Sequence, residues 1–137
     1  MIITFKKRSN QMSKVHRFTG KPSEDVFSWE NVETKIYNTE DVKGVIKNVL
    51  VGPQDGAPNF IIRFFQVPVG ESTFNHAHPH EHGIVILQGK ARVNIEDKSV
   101  DLNPFDSVFI SGGDHHQVNN TGDTSLGFIC VIPAGAK

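Results

Sequence analysis

Short β-prone segments separated by turn residues run through the chain from residue 32 onward and constrain its fold more than any other feature. They are rich in β-branched and aromatic residues, and Gly, Pro, Asn or Asp separates each one from the next, which is typical of antiparallel strands. None sustains a helical period. Because closure removes exposed strand edges, we predict an all-β fold with a single barrel or jelly roll. The segments are VETKIY, GVIKNVLVG, NFIIRFFQV, GIVILQG, KARVNIED, SVDL, SVFIS, HHQVNN and SLGFICVIP.

Two of these segments indicate how their faces are used. In KARVNIE, Ala91, Val93 and Ile95 alternate with polar residues, so this strand is expected to bury one face. In NFIIRFFQV both faces are mostly apolar, with Arg63 as the exception, so this strand is expected to be covered on both sides. Other parts of the chain are therefore predicted to pack against both faces of this strand.

The stretch GESTFNHAHPHEHGIVILQG, residues 70–89, holds four of the seven histidines. In an extended strand His76 and His78 point to the same face, so both imidazoles can reach one ion. Pro79 marks a bend after the pair, and this bend can bring His82 back beside it. Neutral imidazole is a common ligand of transition metals, so the pattern predicts a metal centre.

The same stretch resembles the first signature of the cupin superfamily: Gly, five residues, H-x-H, three or four residues, Glu, six residues, Gly. Gly70, His76, His78 and Gly89 match, and His82 stands at the Glu position. This departure is similar to small single-domain bacterial cupins whose metal is held by four histidines.

A second cupin signature, Gly, five residues, P-x-G, two residues, His, three residues, Asn, is matched in part downstream. Phe105 and Ser111 stand at the Gly and Pro positions, while Gly113, His116 and Asn120 match. The fourth ligand position is therefore kept.

The resemblance extends over residues 44–133, about two thirds of the chain. It implies a cupin barrel, which we place at residues 32–137, and a homodimer. It also implies one divalent transition metal per chain. Mn or Fe is favoured by cellular supply, while Zn, Ni, Cu and Co stay open. The implied ligands are His76, His78, His82 and His116.

Residues 1–31 are expected to form an N-terminal extension. Its segment 9–25 is polar and turn-rich and is expected to be loosely ordered, with His16 at the surface. Phe27 and Trp29 are expected to pack against the main body. Three apolar residues predict a short strand that is a candidate for exchange with another subunit: Ile2, Ile3 and Phe5.

Four neutral imidazoles would leave the double positive charge of the ion uncompensated and would leave coordination positions open for a guest. Such a centre is expected to attract an anionic ligand. By alternation and proximity to the motifs, the predicted pocket residues are Arg63, Ile84, Ile86, Phe109, Val118, Phe128 and Cys130. Phe109 and Phe128 are core residues first. His80, Glu81 and His115 are expected to face away from the ion.

The leading functional hypothesis is a metal-dependent oxygenase acting on a small aromatic, enol or carboxylate substrate, as the resemblance implies. Tyr37, the only tyrosine, lies well before the motifs, which argues against a phenolic base beside the metal. One alternative is a sugar-acid isomerase or lyase of the pectin-degradation type, because HAHPHEH also resembles the first motif of those cupins. The other is a non-catalytic protein that binds a metal or a small ligand.

Composition excludes several other classes. The 137 residues suit one domain, and a net charge of −1 with scattered basic residues gives no case for nucleic acid or membrane partners. One cysteine, Cys130, excludes an internal disulfide framework. The N-terminus does not read as a secretory signal, so a cytoplasmic location is expected.

Overall fold

A computed structural model describes residues 12–136 and, as backbone only, residues 2–6. These two ranges contain eleven strands and two short 3₁₀ turns, Pro22–Glu24 and Pro53–Asp55. None of the helices in these ranges has the length and apolar character that a membrane span requires. The strands are β1 Ile2–Lys6, β2 Met12–His16, β3 Thr34–Asn38, β4 Lys43–Val51, β5 Phe60–Val67, β6 His82–Gln88, β7 Ala91–Ile95, β8 Lys98–Leu102, β9 Ser107–Ile110, β10 His116–Asn120 and β11 Leu126–Pro133.

Two antiparallel sheets enclose the core. The larger one has the strand order β3-β4-β5-β11-β6-β9, and the smaller one has the order β10-β7-β8. Inward-facing residues of both sheets form one apolar cluster, in which Ile86, Phe128, Val93 and Val118 are at most 2% exposed. The sheets are not hydrogen-bonded into a closed ring, but their arrangement is that of a jelly roll, which confirms the predicted all-β barrel fold.

The predicted segments correspond to strands β3 to β11, because alternating burial is visible in the sequence itself. Ala91 and Val93 are buried, while Arg92 between them is exposed and pairs with Asp101 across β7 and β8.

Strand β5 is covered on both faces, as predicted. Phe64 on its outer face contacts the rings of Phe27 and Trp29, with centroid distances of 4.8 and 5.2 Å. On its inner face, Arg63 and Phe65 turn toward a cavity between the sheets. The two aromatic residues that precede the barrel thus cover part of its outer surface.

The expectation of loose order in residues 9–25 is wrong for residues 12–25, which include β2 and the first 3₁₀ turn; residues 9–11 lie outside the described ranges. His16 is also not a surface residue. Its side chain is 8% exposed, and its ring nitrogens lie 2.7 Å from Asp55 Oδ1 and 3.1 Å from the Glu30 carbonyl oxygen. A polar partner far along the chain stabilises this segment, and local composition does not reveal such a contact.

Strand β1 pairs antiparallel with β2 of its own chain, with Ile2 opposite His16. The side chains of the three apolar residues predicted for this strand lie outside the description. Exchange of the extension between subunits therefore stays a prediction, as do the domain limits 1–31 and 32–137.

Candidate metal centre

The histidine stretch enters the barrel as a loop between β5 and β6. Within it, His76 forms one isolated bridge with His116 of β10, through hydrogen bonds of 3.1 and 2.8 Å in the two directions. His76 and His78 therefore do not lie on an extended strand, and only His76 takes part in a β-bridge. Gly70, at the start of the stretch, has φ of +78°, and Gly89, at its end, has φ of +82°. Both glycines adopt the left-handed backbone that favours this residue.

Three of the four predicted ligands come together. One nitrogen from each of His78, His82 and His116 lies within 4.8 Å of the other two. The ring centroids are 4.4 Å apart for His82 and His116, 5.5 Å for His78 and His82, and 5.7 Å for His78 and His116. The loop, β6 and β10 supply one imidazole each, so residues from both sheets build the site.

His76, the fourth predicted ligand, lies beside this group but not within it. Its ring stacks on Phe74 at 5.0 Å and meets the ring of His78 edge-on at 5.1 Å. The side chain is exposed and lines the same cavity as the other three. Coordination by His76 stays a prediction.

Burial and neighbouring charge favour the neutral form of two of the clustered imidazoles, those of His78 and His82. Desolvation lowers the pKa of His82 to about 3, and the charges of His116, His80, Arg63 and His78 add to the effect. Burial also lowers the pKa of His78, followed by the influence of the neighbouring histidines and Arg63. Neutral imidazoles have a free lone pair, which is the form that binds a metal.

The nitrogens fit a metal in two respects. His82 Nδ1 is buried and has no hydrogen-bond partner among the described residues, a cost that a bound ion would remove. His116 Nδ1 lies 3.0 Å from the Asp114 carbonyl oxygen, and donation to this oxygen would leave Nε2 as the free ligand atom. Nitrogens about 2.0–2.1 Å from one ion can be at most about 4.2 Å apart, so small ring movements would complete the site.

Of the three residues expected to face away from the ion, one lies beside the histidine cluster and two are exposed. His80 stacks on His78 at 4.8 Å and lies 4.7 Å from the ring of His82, so it is an immediate neighbour of the cluster. Burial, followed by the charges of Arg63 and His116, lowers the pKa of His80. Glu81 and His115 are exposed, and the backbone N–H of His115 lies 3.4 Å from Glu96 Oε1.

A cavity of about 220 Å³ opens beside the histidines. Five predicted pocket residues line it: Arg63, Ile84, Val118, Phe128 and Cys130. Ile86 shares the inward face but is fully buried in the core and is absent from the lining. Phe109 is 64% exposed, so its assignment to the core is wrong. It faces outward because the inward direction on β9 is taken by Ile110, and it lines a separate surface hollow.

Arg63 is the polar anchor of the cavity wall. Its Nη2 lies 3.0 Å from Cys130 Sγ, and its guanidinium lies 4.9 Å from the centroid of the Phe65 ring. Its Nε is buried and has no partner among the described residues. Burial raises the pKa of the Cys130 thiol despite the opposing charge and hydrogen bond of Arg63, so the thiol is protonated at neutral pH.

Sequence reasoning missed part of the lining. Tyr37 was set aside because it lies far from the motifs, but β3 carries it to the cavity, where its ring meets Phe74 edge-on at 5.7 Å. The distance of Tyr37 from the motifs along the chain therefore does not keep its phenol out of the cavity, and the absence of a phenolic base beside the metal stays a prediction. Alternation along β3 and β4 was the available signal, but it gave no indication of which strands face the histidines. The other missed lining residues are Val45, Lys47, Phe65, Thr73 and Phe74.

The family model of the cupin domain matches residues 63–132, which include the histidine cluster and the strands that carry it. The chain belongs to the cupin family. This cupin is 30% identical over 118 residues to 1-methylthio-D-xylulose 5-phosphate methylsulfurylase of Rhodospirillum rubrum, with 83% of the chain and 74% of the relative covered. It is also 30% identical over 110 residues to an oxalate-binding protein of Thermotoga maritima, covering 78% and 91%.

Solved structures agree with this family assignment. A cupin 2 conserved barrel domain protein from Rhodopseudomonas palustris superimposes on this cupin with a TM-score of 0.75 at 25% identity. The match covers 90% of this chain and 82% of the other, so the similarity extends over the barrel as a whole.

Proposed function

We propose that this cupin is a metal-dependent oxygenase that acts on a small anionic substrate, such as an enol or a carboxylate. The observation that carries the proposal is the cluster of imidazoles at His78, His82 and His116, which faces a cavity with largely apolar walls. Three or four nitrogen ligands leave positions open on a five- or six-coordinate ion. A cavity of about 220 Å³ suits a small guest.

The residues in and around the cluster would have different roles in binding the metal and the substrate. The histidines would hold Mn or Fe, and such an ion, when bound, supplies Lewis acidity and access to oxygen chemistry. Arg63 would bind and orient an acidic group of the substrate through the nitrogens that face the cavity. Ile84, Val118 and Phe128 exclude water and hold the organic part of the guest.

Two alternatives have specific support. Tyr37 in the cavity lining offers a group for proton transfer, which favours an isomerase or lyase that needs no oxygen. The name of the Rhodospirillum rubrum relative, 1-methylthio-D-xylulose 5-phosphate methylsulfurylase, does not describe an oxygenase. Ligand binding without turnover is favoured by the relative that is named an oxalate-binding protein.

Turnover with and without oxygen separates these functions. The protein loaded with Mn²⁺ or Fe²⁺ would be incubated with catechols, enols, alkenyl phenols and an unsaturated uronate, with oxygen uptake and products recorded. We expect oxygen uptake that matches product formation. Conversion of the uronate without oxygen would replace the proposal with the isomerase or lyase, and tight binding without any product would replace it with a binding role.

The metal itself is tested separately. Elemental analysis of protein made without added metal is expected to find about one Mn or Fe per chain. Stoichiometric zinc in a closed four-coordinate site would contradict an oxygenase, because no position would remain for a substrate.

We also propose that this cupin is a homodimer. The outer face of the larger sheet carries large apolar side chains that are between 37 and 64% exposed. Exposed apolar surface of this kind marks interaction sites, and a two-fold pairing of sheets would cover it. The residues are Ile36, Phe60, Leu87, Phe109 and Val131.

A further inference from the structure

The cavity lining carries more positive charge than a single acidic group of a ligand would neutralise. Arg63 and Lys47 both line the cavity, and among the residues whose side chains the structure describes no carboxylate lines it. A bound divalent cation would add two more positive charges. The lining is therefore complementary to a ligand with more than one negative charge.

The cations lie on three neighbouring strands. Arg63 is on β5, Lys47 is on β4 and Lys35 is on β3, with Lys47 directly opposite Lys35 in the antiparallel register. Like charges at directly opposed positions destabilise a sheet. Among the described side chains, neither lysine has a carboxylate partner within ion-pair distance. A local arrangement that opposes stability is expected at a functional site.

Tyr37 connects the two lysines. The centroid of its ring lies 4.9 Å from Lys35 Nζ and 5.7 Å from Lys47 Nζ, so both ammonium groups are within cation–π distance of the same ring. Tyr37 and Lys47 line the cavity, whereas Lys35 is exposed and is absent from the lining. The pair of lysines and the tyrosine therefore mark a mouth of the cavity.

This mouth is separated from the histidine cluster. The ring of Tyr37 contacts Phe74, Phe74 stacks on His76, and His76 contacts His78. Three ring-to-ring contacts thus lie between Tyr37 and His78, the first clustered histidine. Arg63, by contrast, is close enough to act electrostatically on His78 and His82.

We propose that Lys47, with Lys35 and Tyr37, forms a second anion-binding subsite, and that the ligand of this cupin carries two acidic groups. One group binds at the histidines and Arg63, and the other binds at the lysine pair. This inference rests on the proposed function for the first of these ends. The chemistry fits a dicarboxylate or a carboxylate with a phosphate ester.

Calorimetry with matched probes tests the proposal on the Mn²⁺-loaded protein. The probes are malonate, succinate and glutarate, each compared with the monocarboxylate of the same chain length, and phosphoglycolate compared with glycolate. We expect at least one dianion to bind about tenfold or more tightly than its matched monoanion, and we expect this ratio to shrink at high salt. The better of the two dianion series identifies the acidic group at the mouth.

Lys47→Gln is expected to lower the ratio of dianion to monoanion affinity to about one, while the affinity for the monoanions changes less than about twofold. Lys47→Arg is expected to retain the wild-type ratio. Lys98→Gln removes the same charge from an exposed position on β8 and serves as the control. Thermal unfolding of each variant checks that the fold is intact.

Equal binding of dianions and monoanions by the wild type, or an unchanged ratio in Lys47→Gln, would overturn the second subsite. These outcomes are independent of oxygen chemistry. A dianion preference that depends on Lys47, found without oxygen uptake, would support the second subsite and contradict the proposed oxygenase activity. Oxygen uptake together with a dianion preference that Lys47→Gln leaves unchanged would do the reverse: it would support the oxygenase and contradict the second subsite.

Discussion

His82 shows at the scale of one residue how the centre is prepared for an ion. The residue is 5% exposed, its Nδ1 has no hydrogen-bond partner among the described residues, and its pKa is lowered to about 3. A buried polar atom without a partner is costly. The cost is consistent with a ring placed for coordination rather than for packing alone.

Removing one clustered imidazole is expected to release the metal. His78→Ala, His82→Ala and His116→Ala should each weaken metal binding by more than about a hundredfold, because loss of a ligand exceeds the effect of losing a group that only orients one. Chelator competition and elemental analysis measure the change. His115→Ala, the exposed neighbour of His116, is the control and should bind normally. Normal metal content in His82→Ala would contradict the proposed metal centre.

The same residue gives the apoprotein a pH dependence. The unfolded chain binds a proton on His82 near its ordinary pKa of 6.5, whereas the folded chain resists it down to about 3. Unfolding is therefore favoured as the pH falls through this window. Urea denaturation of the apoprotein at pH 7.5 and 5 should show a larger loss of stability in the wild type than in His82→Gln. An equal loss would show that His82 is not protonated differently on folding.

At the scale of the element, long-range contacts shape the segments that local pattern leaves undefined. The turn between β8 and β9 places Phe105 at φ of +72° while leaving its side chain 82% exposed. The N–H of Phe105 donates to the Ile86 carbonyl oxygen at 2.7 Å, which holds the turn against β6. This is the position where the second cupin signature has glycine, and the backbone conformation explains that preference.

Phe105→Gly is expected to stabilise the protein by roughly 1 kcal/mol, since a residue with a Cβ is strained in the left-handed region. Chemical denaturation measures the gain. Phe105→Ala keeps a Cβ and should give no such gain. Equal stabilisation by both variants would assign the effect to loss of the exposed ring instead of relief of the backbone.

The N-terminal hairpin has a buried polar attachment of its own. His16→Ala leaves the Asp55 carboxylate, which is 10% exposed, without its 2.7 Å partner. We expect a loss of about 1–3 kcal/mol and faster hydrogen exchange in β2, with unchanged metal content. Lys14→Ala on the same strand removes only an exposed hydrogen bond to the Gln54 carbonyl oxygen and should have little effect. Equal exchange in both variants would contradict the role of His16.

At the scale of the whole molecule, the barrel strands and three converging histidines could be predicted because alternation and motif spacing are local properties. The order of residues 12–25 could not, because it depends on a partner about 40 positions away along the chain. The lysine pair and Tyr37 were missed for a related reason. Their relation to the cavity arises from the pairing of β3, β4 and β5, which sequence spacing does not encode.

The apolar outer face makes the assembly testable. Phe109→Glu places a charge where the proposed pairing would bury it, so the variant should be monomeric by light scattering while the wild type is dimeric. Phe105→Glu adds the same charge to an exposed turn and should leave the dimer intact. A monomeric wild type would contradict the proposed dimer.

The jelly roll carries its clustered histidines and its lysine pair on separate parts of the chain. The histidines come from the loop before β6, from β6 and from β10, whereas the lysines belong to β3 and β4 at one border of the larger sheet. Redesign of that β3–β4 hairpin is therefore expected to alter the proposed second subsite while leaving the histidine cluster in place. This division makes the hairpin a practical starting point for retargeting the protein to new molecules.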